Sequence, residues 1–229
     1  MSSPLILALD LEPDKALELA KNLDPERCKL KVGSKLFTSS GPSIISSLRD
    51  LGFDIFLDLK FHDIPNTVYA AVEEACKLNV WMVNVHCSGG LEMLKSARKS
   101  ISDNKAETLP LLVGVTMLTS ISEDEGKKIG VHDIRKQTTL LTKLAKSSGL
   151  DGVVCSPLEV KEIKNSFGAD FITVTPGIRS SSLLGDQKRY SSALEALKNG
   201  SDYLVVGRPI TESDNPVKSL RSLLQEIKR

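Results

Sequence analysis

Residues 54–67 read DIFLDLKFHDIPNT. An apolar run, Ile55-Phe56-Leu57, passes straight into Asp58, Lys60, His62 and Asp63. Two carboxylates around one lysine are the material of electrostatic stabilisation and proton transfer. Asp58 and Lys60 stand two apart, so on a strand both leave the same face, with Leu57 and Leu59 on the other. Other reactive types recur where apolar runs end. Asp10 follows LILAL, and Lys31 lies in CKLKVG. Asn84 and His86 lie in MVNVHC, and Thr116 and Thr119 close LLVGVTMLT. Thr175-Pro176-Gly177 leads to Arg179, and Gly207-Arg208 follows YLVV. Charges at such positions are costly unless paired. Asp10, Lys31, Asp58 and Lys60 can pair in alternation, either as a buried ion lattice or as a reaction site. Two such pairs at one edge favour a site.

The glycines address a second task. Backbone N–H groups beside Gly207, with the planar fork of Arg208, can cradle a phosphate. The stretch TPGIR, 175–179, offers the same ingredients. Together they point to a small phosphorylated metabolite. His62, His86 and His132 have no metal-ligand spacing. Asp10, Asp58 and Asp63 could hold Mg²⁺, but Lys60 among them already fills the place of a cation. The expectation is no metal.

The elements that must carry these groups are regular. Eight β-type runs begin at Leu5, Cys28, Asp54, Met82, Leu111, Gly152, Phe171 and Tyr203. Several are almost continuously apolar, as strands covered on both faces should be. Helical patterns separate them. Residues 14–23 put Ala16, Leu19, Ala20 and Leu23 on one face. Residues 66–78 start with Asn66 as a plausible cap. Residues 133–148 start at Asp133, and 215–228 carry Pro216 at a first helical position. Eight strand–helix repeats predict an α/β fold, a single (β/α)₈ barrel domain over residues 1–229. A doubly wound open sheet is the alternative. Two polar stretches, 119–133 and 177–191, are long for such connections and read as lids or as solvated surface.

The totals exclude other classes. Among 229 residues 41% are hydrophobic and 26% charged, with a net charge of +1. That balance gives no pull toward nucleic acid or an anionic membrane. No apolar window approaches the ~18 residues of a membrane span, and the N-terminus does not read as a signal peptide. Cys28, Cys76, Cys87 and Cys155 stand far apart and read as buried free thiols in a reducing compartment. The expected location is the cytoplasm.

The motif DLKFHDIPNT resembles the signature of the orotidine 5′-phosphate decarboxylases, in their compact bacterial form. The resemblance extends through KLKVG, WMVNVHCSGG, VTMLTS, DGVVCS, VTPGIR, GDQ and VVGRP. It implies conversion of orotidine 5′-phosphate to uridine 5′-phosphate in pyrimidine biosynthesis, without a cofactor. It implies that Lys60 protonates C6 of the pyrimidine and that Asp58 lies against the substrate carboxylate. Lys31 would bridge Asp58 and the ribose, and Asp10 would bind a ribose hydroxyl. Thr119 and Pro176 would meet the base. Gln187, Arg208 and the Gly207 amide would hold the phosphate, with Arg179 nearby. Asp63 and Thr67 would reach the neighbouring subunit's site, which implies a homodimer with shared sites. Residues 177–191 would be the closing loop. Mg²⁺-dependent sugar-phosphate enzymes, the hexulose-phosphate synthases and keto-gulonate-phosphate decarboxylases, are similar and share D-x-K-x-x-D. The continuation FHDIPNT and the GDQ motif favour the pyrimidine nucleotide. An intact Asp58-Lys60-Asp63 set speaks against a binding barrel without catalysis.

Overall fold

The computed structural model describes residues 3–106, 108–178 and 191–227. The strands are β1 (Leu5–Ala8), β2 (Lys29–Gly33), β3 (Ile55–Phe61), β4 (Met82–His86), β5 (Leu111–Val115), β6 (Gly152–Val154), β7 (Ile172–Thr175) and β8 (Tyr203–Val206). Each pairs in parallel with its sequence neighbour, and β8 returns to β1, closing an eight-stranded barrel. The open-sheet alternative is thereby excluded.

Parity along each strand divides the apolar residues into two cores. Ile6, Ala8, Phe56, Met82, Val113, Val174 and Val205 fill the barrel. Leu5, Leu7, Leu30, Val32, Ile55, Leu57, Val83, Val85 and Leu204 face the surrounding helices. Those include α1 (Pro13–Lys21), α2 (Ser34–Ser40), α3 (Ser43–Asp50), α4 (Pro65–Lys77), α5 (Gly90–Asp103), α6 (Glu123–Lys128), α7 (Ile134–Ser147) and α8 (Val160–Phe167). The helices α9 (Ala193–Lys198), α10 (Arg208–Thr211) and α11 (Pro216–Glu226) complete the described series. Burial on both faces explains why several strands read as almost unbroken apolar runs.

The helix starts follow capping chemistry. Asp133 accepts the Lys136 N–H and begins α7, and Asn215 accepts the Lys218 N–H ahead of Pro216 in α11. The expected Asn66 cap is corrected. The cap residue of α4 is Ile64, which makes no side-chain cap, and Asn66 lies inside the first turn. Pro65 causes the shift, because its fixed φ and missing N–H suit the first helical position. The polar stretch 119–133 is partly ordered as α6, closed by a reciprocal Ser122–Glu125 capping box. All four cysteines are buried free thiols, as expected. Burial pushes the Cys87 thiol up to about 12 and, with nearby Asp24, does the same for Cys28.

Strand β6 is packed closely against β7. A methyl group on Gly152 would overlap the Ile172 carbonyl oxygen of β7. That backbone cannot retreat without opening the ladder at Gly152–Ile172. Gly152→Ala should therefore cost about 1–3 kcal/mol of stability, as overpacking does. A urea midpoint equal to that of the parent protein would contradict this reading of the wall.

Candidate active site

The inward parity that fills the barrel also raises charged side chains to its mouth. A cavity of about 800 Å³ opens at the C-terminal ends of the strands. Of the residues expected in the site, Asp10, Lys31, Asp58, Lys60, Thr119, Pro176, Gly207 and Arg208 line it. The ends of the first three strands supply an alternating chain of charge. Lys31 Nζ stands 3.3 Å from Asp10 Oδ1 and 3.1 Å from Asp58 Oδ2, and Lys60 Nζ stands 2.7 Å from Asp58 Oδ1. The strands β5 to β8 and their following loops bring Val115, Thr119, Val154, Pro176 and Gly207 to the opposite wall.

Asp58 and Lys31 are only 7% and 8% exposed, so neither could stay charged alone. Burial pushes the Asp58 carboxyl up, but Lys31, Lys60 and a hydrogen bond from Asn84 outweigh it and hold the group below its ordinary value. Burial likewise opposes the charge on Lys31, and Asp58 and then Asp10 raise it above its ordinary value. Gly33 keeps the space for this pairing. A Cβ there would come within 2.9 Å of Lys31 Nζ and 3.0 Å of Asp10 Oδ1.

Regular pleating predicts that Asp58 and Lys60 share a face, and they do, but by an irregular path. Between the pairs Leu57–Val83 and Phe61–Val85, β3 advances from 57 to 61 while β4 advances only from 83 to 85. Lys60 takes φ +52° to make this bulge, a conformation that costs a non-glycine residue of order 1–3 kcal/mol. Such strain clusters at functional sites.

Asp63 and Thr67 do not line this cavity. They belong to an exposed stretch around the start of α4, where Ile64 is 67% exposed. The Asp63 carboxylate accepts the Ile64 N–H at 2.6 Å. Arg179, Gln187 and most of the expected closing loop lie outside the described residues. The His86 ring lies tilted against His62, centroids 5.3 Å apart. Burial, then His62 and Lys60, push the His86 pKa down against a smaller pull from Asp58. Among the described residues, no three His, Cys, Asp or Glu side chains are grouped to hold a metal ion.

Asn84 carries more of the site than its sequence position suggested. Its side chain is fully buried and hydrogen-bonds both Asp58 and the Lys60 backbone. The usable signal was a polar residue at an inward position of an otherwise apolar strand. Phe56, Met117, Leu118 and Ser120 also line the cavity without having been singled out.

A closed barrel with its charged groups at the strand ends is the architecture of a barrel enzyme. Residues 3–223 match the model of the orotidine 5′-phosphate decarboxylase / HUMPS family. The chain belongs to that family. It is 51% identical over 229 residues to the orotidine 5′-phosphate decarboxylase of Pseudoalteromonas translucida, covering 99% of this chain and 97% of that one. It is 52% identical over 228 residues to the enzyme of the same name from Dichelobacter nodosus, covering 98% and 99%. The crystal structure of orotidine 5′-phosphate decarboxylase from Lactobacillus acidophilus superposes with a TM-score of 0.86 at 39% identity, covering all of both chains.

The depressed Asp58 pKa fixes a pH dependence of stability. A lowered carboxyl contributes stability fully above its ordinary value of 3.8, and loses it as pH falls through the lower folded value. Asp58→Asn should be less stable near neutral pH and should show a shallower loss of stability on acidification below 3.8. Urea midpoints measured from neutral to strongly acidic pH check this. Parallel acid limbs in parent and variant would remove Asp58 from the acid response.

Proposed function

We propose that this protein is a carboxy-lyase that converts orotidine 5′-phosphate to uridine 5′-phosphate and CO₂, a step of pyrimidine nucleotide synthesis. The observation that carries the reading is the alternating chain Asp10–Lys31–Asp58–Lys60 at the mouth of the barrel. The family membership supports it, as do the relatives' names.

The chemistry follows from the charges. The bond from C6 to the carboxylate breaks, CO₂ leaves, and the electron pair stays on C6. The Lys60 ammonium stabilises that developing charge and then gives C6 a proton, leaving a neutral amine that regains its proton from solvent. This sequence needs no cofactor. Asp58 faces the departing carboxylate, while Lys31 holds Asp58 in place and reaches the ribose. Asp10 takes a ribose hydroxyl, and Thr119 and Pro176 meet the base. Gly207 and Arg208 hold the phosphate, with Gln187 and Arg179. Grip on the phosphate, remote from C6, can be spent on orienting the reacting carbon.

The active form is a homodimer in which Asp63 and Thr67 complete the partner's site. The exposure of both residues, together with Ile64, supports this arrangement. The barrel acts as one domain. Four buried thiols support a reducing compartment, the cytoplasm. Among the described residues no helix is long and apolar enough to cross a membrane.

The direct test is loss of orotidine 5′-phosphate absorbance with purified protein in EDTA. Turnover should persist, whereas abolition by chelation would point to the magnesium-dependent branch of the family. Lys60→Ala should still bind the nucleotide product but lose at least about a thousandfold in kcat, the scale of a proton donor combined with electrostatic stabilisation. Unchanged turnover would remove Lys60 from the reaction. Mixing Lys60→Ala with Asp63→Ala chains should restore activity through hybrid dimers that hold one intact site. Hybrid dimers that form but stay inactive would end the shared-site assignment.

A further inference from the structure

We propose that Asn84 is a positioning residue for decarboxylation, one amide that clamps the Lys60 backbone and the Asp58 carboxylate together and so sets where the Lys60 ammonium stands. The inference rests on the reaction proposed above. It starts from the break in the ladder. Between Leu57 and Phe61 the β3–β4 register shifts, and Lys60 takes a left-handed conformation. At the break the Lys60 N–H donates to Asn84 Oδ1 at 2.8 Å, so a side chain of β4 holds the bulge. From the same amide, Asn84 Nδ2 donates to Asp58 Oδ1 at 2.6 Å. That carboxylate oxygen also receives Lys60 Nζ at 2.7 Å. The three contacts close a ring through the backbone and the side chain of one lysine.

The amide orientation is fixed by chemistry. A backbone N–H can only donate and a carboxylate can only accept, so the oxygen must face Lys60 and the nitrogen Asp58. The position therefore needs one acceptor and one donor on a short, planar group. Alanine offers neither. An ionised aspartate keeps the acceptor, loses the donor and sets a second negative charge against Asp58. A protonated aspartate regains both roles, with its carbonyl toward Lys60 and its hydroxyl toward Asp58. Among the described residues, the charged and titratable groups around the position are Asp58 and Lys60 of β3, Lys31 of β2 beyond Asp58, Asp10 beyond Lys31, His86 on β4 itself and His62 beyond His86. From β5 the register partner is the apolar Val113.

The test compares Asn84→Ala and Asn84→Asp with the parent enzyme on orotidine 5′-phosphate. Asn84→Ala should lose about a hundredfold in kcat while KM moves by no more than about threefold, the pattern of misplaced reacting groups. Asn84→Asp should be equally impaired at about pH 8 and should recover as pH falls toward about 5, because a buried carboxyl beside another carboxylate titrates high. Asn84→Ala should show no such recovery. A role in folding alone would not give this divergence of pH profiles. A kcat for Asn84→Ala within about twofold of the parent, or matching profiles for the two variants, would overturn the proposal. If neither variant folds, amide hydrogen exchange on the parent decides. The Lys60 N–H should exchange slowly in spite of the broken ladder, and exchange at the rate of an exposed amide would overturn the clamp. A parent protein that exchanges Lys60 slowly but leaves orotidine 5′-phosphate untouched would defeat the proposed reaction and leave the clamp standing.

Discussion

The structure depends on keeping Asp58 charged inside a protein wall. A buried carboxylate would ordinarily take a proton, because the interior solvates charge poorly. Here each of its oxygens meets an ammonium, Lys31 on one side and Lys60 on the other. Lys31 is as buried as Asp58 and draws on Asp10 at the rim. The groups alternate in sign, so the cluster adds no net charge to the mouth. What it adds is direction, since each group's position is fixed by its neighbour. Such an arrangement can stabilise new charge without first reorganising, which solvent water cannot do.

Several other features serve that cluster. Gly33 leaves the room in which Lys31 and Asp10 meet. Phe56 and Val205 belong to the barrel core and line the same cavity, which gives the ion pairs an apolar neighbour. The bulge in β3 turns Lys60 back toward Asp58 at the cost of a strained φ. Strain of this kind persists only where surrounding contacts over-determine it. The Asn84 amide and the Asp58–Lys60 pair are the contacts that do so.

Much of this was legible in the sequence, for physical reasons. Strands covered on both faces must be largely apolar on both faces, so eight β-type runs, several almost continuously apolar, announced the barrel. Charged residues inside such runs had to be paired, so Asp10, Lys31, Asp58 and Lys60 identified themselves. Asn66 misled because a proline beside it takes the first helical position and moves the cap outward. The bulge was hidden, since Asp58-Leu59-Lys60 reads as plain alternation. Its cause is a register with β4 that the strand's own residues do not encode. Asn84 was seen as a strand-end residue without a task, because its task exists only once that register is known. Gln187 was named from family resemblance and Arg179 also from the TPGIR ending, and both lie outside the described residues. Thr67 was named from family resemblance alone, while Asp63 also stood out beside Lys60; neither lines its own chain's cavity.

The two walls of the mouth differ in kind. The interlocked charges come from β1, β2 and β3, braced by β4, whereas β5 to β8 contribute Val115, Val154, Thr119, Pro176 and Gly207. A substitution in the first wall propagates, because each group there holds the next. The second wall is mostly apolar and sets the shape of the pocket. The mouth is thus divided between a half that sets the field and a half that sets the outline, so what the pocket accepts and what it does to the bound molecule are written in different strands.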